Sequence, residues 1–480
     1  MGEAGLRAQL TRRKPVETLI DDAKPHQGGL RRALGALELT ALGIGAIIGA
    51  GIFVMTGVGA RQAGPGLIAS FVLAGVACAM AALCYAEFAA MIPVAGSAYS
   101  YSYATMGELV GWIIGWDLVL EYAVAAAAVA VGWSGYFRVI LAGLGIHLPA
   151  AIAGAPGSAP GAIINLPALL IVLIISAVLY VGIQESARLN SVIVAIKLGA
   201  VAVVIGVGVF FVQPHNWVPF APFGFEGISK GAAYIFFAYI GFDAVSTAAE
   251  EAIDPGRDLP RGILWSLFVC TILYIAVAAV LTGMVHYTKI DRSAPLSSAF
   301  VMRGMNFIAG VISAGAVAGL TSVLLVLLLG QSRIFYAISR DGLLPPAFSR
   351  VHPRFKTPYI PTSITAVAVG ITAALLPIQE IAELTNIGTL FAFVLVCLGV
   401  WIMRHVDPQA RRPFRTPMVP AVPIIGALFC LYLMKSLPEI TWLRFFIWMA
   451  IGLIIYFVYG RYHSRVAIAA EAEASAISAG

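Results

Sequence analysis

Four ionisable side chains stand inside long apolar stretches of this chain: Asp117, Glu121, Lys197 and Asp243. A charge in hydrocarbon costs at least ~2.5–3.5 kcal/mol, so each needs a partner or a task. Lys197 lies nine residues beyond Arg188. At ~1.5 Å per residue that is roughly 14 Å, near the middle of a ~30 Å hydrocarbon core. From there its stem is too short to snorkel to the interface. A lysine so placed can serve as a proton switch, charged in one state of the protein and neutral in another. Asp117 and Glu121 are four apart and share a helix face, where two like charges repel. Glu121, the deeper, faces either a pocket, where it would pair with a cation or with Lys197, or a neighbouring helix as a structural contact. Asp243 follows a glycine in mid-span; it reads as a gate or proton relay, or as the cap of a half-helix.

One backbone stretch could do chemistry too. Gly43-Ile44-Gly45-Ala46-Ile47-Ile48-Gly49-Ala50-Gly51-Ile52-Phe53 is poor material for an unbroken helix, since each glycine costs about 1 kcal/mol relative to Ala. A broken helix at membrane depth survives only where it lines a cavity, a partner or a ligand. Its freed N–H groups would face a carboxylate, and its freed carbonyls an ammonium. On this stretch alone the alternative stands: Gly45-x-x-x-Gly49 as a helix-packing face. The spacing is wrong for a dinucleotide-binding loop.

The elements that must carry these residues follow from composition. The 480 residues are 60% hydrophobic and 11% charged, against about 25% charged in soluble domains. Apolar runs of roughly 20 residues recur throughout, each a membrane-spanning candidate. We count twelve spans in an all-α membrane protein. A cytoplasmic tail covers 1–36, a first five-helix repeat 37–212, a second, inverted repeat 229–404, two further helices 418–460 and a disordered tail 465–480. The third span runs on to about residue 146, too long for one upright helix, so tilt or an outer extension past Arg138 is expected. The run Glu250, Glu251, Asp254, Arg257, Asp258, Arg261 reads as a solvated loop with salt bridges. Twelve spans put both termini on one side. The N-tail, even-numbered loops and C-tail carry 21 Lys/Arg and the odd-numbered loops 8, which puts that side in the cytoplasm of a cell-membrane protein.

Duplication sharpens the glycine reading. The sixth span holds a second awkward stretch, Phe236-Phe237-Ala238-Tyr239-Ile240-Gly241-Phe242-Asp243. Interrupted helices at matching places in two inverted halves point to a transporter binding site, and tilt the reading of the first break toward a ligand.

Other chemistries are excluded by what is missing. The net charge of +6 sits in loops and tails, with no basic face among aromatics, so no nucleic-acid partner is expected. The five cysteines lie in apolar runs without a CxxC pair and read as small buried hydrophobes, with neither a metal nor a disulfide. There is no HExxH, no GxSxG and no mid-membrane aspartate pair, so neither an enzyme nor a cofactor is expected. No Walker A sequence is present either, so ATP drive would need a partner.

With these residues placed, the chain resembles the amino acid–polyamine–organocation (APC) superfamily, and within it the bacterial homologues of the cationic amino acid transporters. Four motifs carry the resemblance across residues 30–460: GAIIGAGIF at Gly45–Phe53, FAYIGFD at Phe237–Asp243 with EEAIDPGRDLP at Glu250–Pro260, ESARLNSVIVAIKL at Glu185–Leu198, and QSRIFYAISRDGLLP at Gln331–Pro345. The resemblance implies the inverted-repeat fold of the sodium-coupled leucine transporters. It implies that Gly49, Ala50 and Gly51 offer amides to a substrate carboxylate, that Ile47, Phe237 and Ile240 offer carbonyls to its ammonium, and that Phe237 covers it. It implies that Lys197 fills the place of a sodium ion, with Thr321 and Ser322 nearby. The expected activity is secondary active import of L-amino acids, cationic and/or small neutral, with protons and without sodium, by alternating access. An exchanger and a non-transporting amino acid sensor remain the alternatives; a small single-span accessory subunit is left open.

Overall fold

The computed structural model describes residues 12–14, 34–93, 97–182 and 187–468. Most of the 1–36 tail, residues 469–480 and the first two residues of the fifth-span motif lie outside the described residues. Residues 465–468 are helical. Among the described residues the chain is all-helical, with two isolated bridges and no strand.

The first span begins with α1 (Ala36–Ile47), turns extended at Ile48, and resumes as a wide π-type turn, Gly51–Met55, leading into α2 (Thr56–Ala63). Then come α3 (Leu67–Met91), α4 (Ser97–Met106), α5 (Glu108–Gly143), α6 (Leu166–Val181) and α7 (Ala187–Gly208). The sixth span repeats the interruption: α8 (Gly224–Ile235), a 3₁₀ turn over Phe236–Tyr239, an extended Ile240 and the single turn α9 (Ala244–Thr247). The chain continues with α10 (Pro255–Met284), α11 (Pro295–Val301), α12 (Asn306–Arg340), α13 (Tyr359–Leu375), α14 (Ile378–Val406), α15 (Ala421–Lys435) and α16 (Glu439–Ile455). Among the described residues seven stretches are long and apolar enough to cross a bilayer, and α1, α6, α13 and α15 are shorter apolar helices.

The third span is one unbroken helix of 36 residues that runs past Arg138 to Gly143, about 54 Å at 1.5 Å per residue, in line with the expected outer extension. Two features depart from the sequence reading. The polar run after the sixth span is helical from Pro255 on, not a loop: the proline sits at the helix start, where its missing N–H costs nothing, and Leu259 and Pro260 are buried. Two helices were not foreseen, α4 and α11, each wedged between two spans.

The packing sets α5 along α12, α14 against α5, and α7 against α12; α10 lies on α3 and α1, α8 on α3 and α2, and α6 on α13. On one face residues 12–14 and 464–466 come together. The Arg12 carbonyl accepts the Glu108 N–H at 2.9 Å, Lys14 Nζ lies 3.3 Å from Asp341 Oδ1, and Arg12 donates to the Val466 carbonyl at 3.4 Å. Glu108 is buried and accepts from Tyr103, Tyr456 and Ser464. Cys78, Cys84, Cys270, Cys397 and Cys430 are all buried and unpaired.

Candidate functional site

The two helix breaks touch. A Cβ on Gly51 would stand 2.1 Å from Ala238 Cα, so only glycine lets the first break lie against the second. Gly241 holds φ at +114° and would put a Cβ 2.8 Å from the Ala46 carbonyl oxygen, doubly reserving that position for glycine. At the first break Ile48 N–H closes the last turn onto Ile44 at 2.9 Å, and Phe53 N–H reaches Gly49 at 3.3 Å. Between them, the amides of Gly49, Ala50 and Gly51 donate to no backbone carbonyl among the described residues. These are the unsatisfied first donors of the second half-helix, the natural seat of an anion.

The carbonyls released at the breaks are partly claimed. Lys197 Nζ donates to Gly45 at 2.9 Å, Tyr274 OH to Ile47 at 2.9 Å, and Tyr136 OH to Phe53. The Phe237 carbonyl accepts the Ile240 N–H at 3.2 Å. A carbonyl has a second lone pair, so Ile47 and Phe237 can still accept. The Ile240 carbonyl accepts no backbone N–H among the described residues.

A cavity of about 200 Å³ opens at the breaks. Ile47, Gly49, Ala50, Gly51, Phe237 and Ile240, named from the sequence, all line it, and so do Glu121, Asp243 and Ser322. Its remaining wall is largely aliphatic, with Ala125 and Val129 of α5 and Val323, Val326 and Leu327 of α12. Asp243 Oδ1 accepts the Gly241 N–H at 3.2 Å. Lys197, 1% exposed, reaches the site from α7 through a slot at Gly319, where a Cβ would stand 2.7 Å from its Cγ. Thr321 is turned elsewhere: its hydroxyl accepts from Trp133 Nε1 at 2.9 Å and donates to Val317. Asp117, one turn before Glu121, is fully buried with both carboxylate oxygens unpartnered among the described residues, beside Gly388 of α14.

Sequence reasoning missed the three tyrosines that hold the breaks, Tyr136, Tyr274 and Tyr239, the last donating to Phe71 at 2.7 Å. A lone tyrosine in an apolar run carries no signal separating a hydrogen-bonded clamp from ordinary core. Among the described residues no cluster of His, Cys, Asp or Glu is arranged to hold a metal. What the site can do is hold a small zwitterion: amides for a carboxylate, carbonyls and two acids for an ammonium, aliphatic wall for a side chain.

Comparison with known proteins gives the family. The profile of the family described as "Amino acid permease" matches residues 34–459. The chain belongs to the amino acid permease family. It is 51% identical to a methylthioribose transporter of Bacillus subtilis (strain 168) over 95% of this chain and 99% of the relative. It is 50% identical to the branched-chain amino acid permease BcaP of the same organism over 96% and 100%. It is 39% identical to the vacuolar cationic amino acid transporter 4 of Arabidopsis thaliana over 83% and 68%. The chain is therefore an integral, multi-pass membrane transporter and not an enzyme.

Proposed function

We propose that this permease is a secondary active transporter that imports L-amino acids, cationic and/or small neutral, across the cell membrane with protons and without sodium, by alternating access. The observation that carries the reading is the pair of helix breaks in contact at Gly51 and Ala238, with the residues of the free amides, Glu121 and Asp243 all lining one cavity. Gly49, Ala50 and Gly51 bind the carboxylate; Ile47, Phe237 and Ile240 face the ammonium. Lys197 is the coupling group. Charged, it ties α7 and α12 to the first break through Gly45; neutral, it gives up that charge-assisted bond and frees the first span to move.

The helix pairings support a two-fold arrangement of 37–212 and 229–404. Under an exchange of the first five spans for the second five, α5 on α12, α3 on α10 and α6 on α13 map onto themselves. The pairs α1 on α10 and α8 on α3 change places, as do α7 on α12 and α14 on α5. The unforeseen helices α4 and α11 also fall at matching points, after the second span of each half. With twelve spans both termini share one face, and the positive-inside rule makes it cytoplasmic.

The test is uptake into liposomes of labelled L-alanine, L-leucine, L-lysine and L-arginine, with and without an inward proton gradient. Accumulation driven by protons is expected. Uptake only with internal amino acid would establish exchange instead, and binding without uptake a sensor. A second reading rests on the relative named for methylthioribose. That sugar has neither carboxylate nor ammonium, so labelled methylthioribose belongs in the panel; its uptake in preference to every amino acid would overturn the zwitterion site.

A further inference from the structure

A second cavity, of about 760 Å³, lies on the face opposite residues 12–14 and 464–466. It is walled by the end of α5, the segment joining α5 to α6, the segment before α11 and the start of α14. Three arginines line it: Arg61 from α2, Arg138 from α5 and Arg292. Two of them clasp the same segment. Arg61 Nε donates to the Ile290 carbonyl at 3.1 Å, and Arg138 donates to Ser293 Oγ at 3.2 Å. Neither guanidinium is used up by this. Arg138 Nε is a buried donor with no partner among the described residues, the kind of group whose desolvation costs about 1–3 kcal/mol unless something accepts from it. Arg292 is exposed.

Three arginines outnumber the two acids that line the same cavity, Asp291, whose charge lies near Arg138, and Glu380. Asp291 spends Oδ1 on the Ser293 and Ala294 amides and the Ser293 hydroxyl. Glu380 is paired with Arg444 at 2.8 Å. The volume is that of a small-molecule site. Arg138 stands nine residues beyond Val129 on α5, and Val129 lines the central cavity. The two chambers therefore follow one another along one helix: Val131, two residues after Val129, already lines the outer one, and Arg138 stands roughly 14 Å beyond Val129.

We infer that this outer chamber is a second, transient binding site for the carboxylate of the incoming substrate, held by Arg138 and Arg292 before it passes to the amides of the central break. The inference rests on the amino acid reading above. A chamber that holds the substrate's carboxylate ahead of the central site raises the rate of loading and leaves the transport step itself alone.

The experiment is initial-rate uptake of labelled L-leucine and L-arginine by proteoliposomes containing wild type, Arg292→Gln, Arg138→Gln or Arg138→Lys, at low and high external salt. Arg292→Gln and Arg138→Gln should raise KM about tenfold with the maximal rate unchanged. Their KM should respond less to salt than that of wild type, and Arg138→Lys should restore most of the loss. Amino acid amides, which lack the carboxylate, should compete equally well against wild type and variants. Unchanged KM in both Gln variants, with wild-type uptake intact, overturns the outer site and leaves the amino acid reading standing. A loss in Arg138→Gln that Lys does not recover, with Arg292→Gln normal, makes Arg138 a strut for the 290–293 segment and also overturns it. No uptake of any amino acid by wild type overturns the amino acid reading, and the outer site with it.

Discussion

At the scale of single residues, the site is decided by what glycine permits. A side chain at Gly51 meets the Ala238 backbone and cannot be accommodated by a rotamer change. Gly51→Ala is therefore expected to separate the two breaks: substrate binding should vanish, and thermal unfolding in detergent should come at a lower temperature. Gly49→Ala meets only the Val323 methyl at 3.2 Å, so it should keep most of both; equal damage from the two substitutions would contradict this geometry. Lys197 offers a paired test. Lys197→Arg keeps the charge but cannot lose a proton in the working range, so accumulation at several external pH values should fail in it as in Lys197→Ala. Gly319→Ala should impair accumulation as well, because its methyl takes the room of the lysine stem. Glu121→Gln should lower the preference for cationic over neutral substrates at least tenfold, about 1.4 kcal/mol. A uniform fall across substrates would make Glu121 structural.

Much of this site was legible because its signals are discordant ones. Four glycines in nine residues, a lysine in mid-span and an acid behind a glycine each violate the expectation for a buried apolar helix. The aliphatic wall gave no such signal: Val129, Val323 and Leu327 look like any lipid-facing or core residue until the helices are assembled. Thr321 shows the converse. The resemblance implied a place near Lys197, and its hydroxyl bonds Trp133 and Val317.

At the scale of elements, each half-helix is held by side chains from other spans. Tyr274 on α10 and Tyr136 on α5 fasten the two sides of the first break by its carbonyls. The second break hangs from neighbours as well: Asn386 on α14 donates to Ala233 and Tyr234 at 2.8 and 2.9 Å, and Glu383 accepts from Tyr234 and Thr441. Removing the Tyr274 hydroxyl leaves a buried carbonyl short of a donor. Tyr274→Phe is thus expected to cost about 1–3 kcal/mol and to narrow the gain in melting temperature that substrate gives. Thermal unfolding with and without L-leucine checks both. The start of α10 escaped the sequence reading for a local reason. Six charges in twelve residues resemble solvent-exposed chain, yet Pro255 is an ordinary first helical residue and the charges occupy a helix end, where solvation costs nothing.

At the scale of the whole molecule, the unbroken rod of α5 and its partner α12 run past the cavity from one face to the other. The interrupted spans have hinges and these two do not, so opening is expected to move the broken spans against a fixed α5–α12 pair. A practical consequence follows from the five native cysteines. Because every one is buried and unpaired, the natural chain is already close to blank toward water-borne thiol reagents, and a single cysteine placed by design should report almost alone. Ser322→Cys would carry the reporter into the cavity wall. Its rate of modification by a membrane-impermeant reagent should drop when L-leucine is bound, and should differ between reagent applied to the face of the outer chamber and reagent applied to the face of residues 12–14 and 464–466.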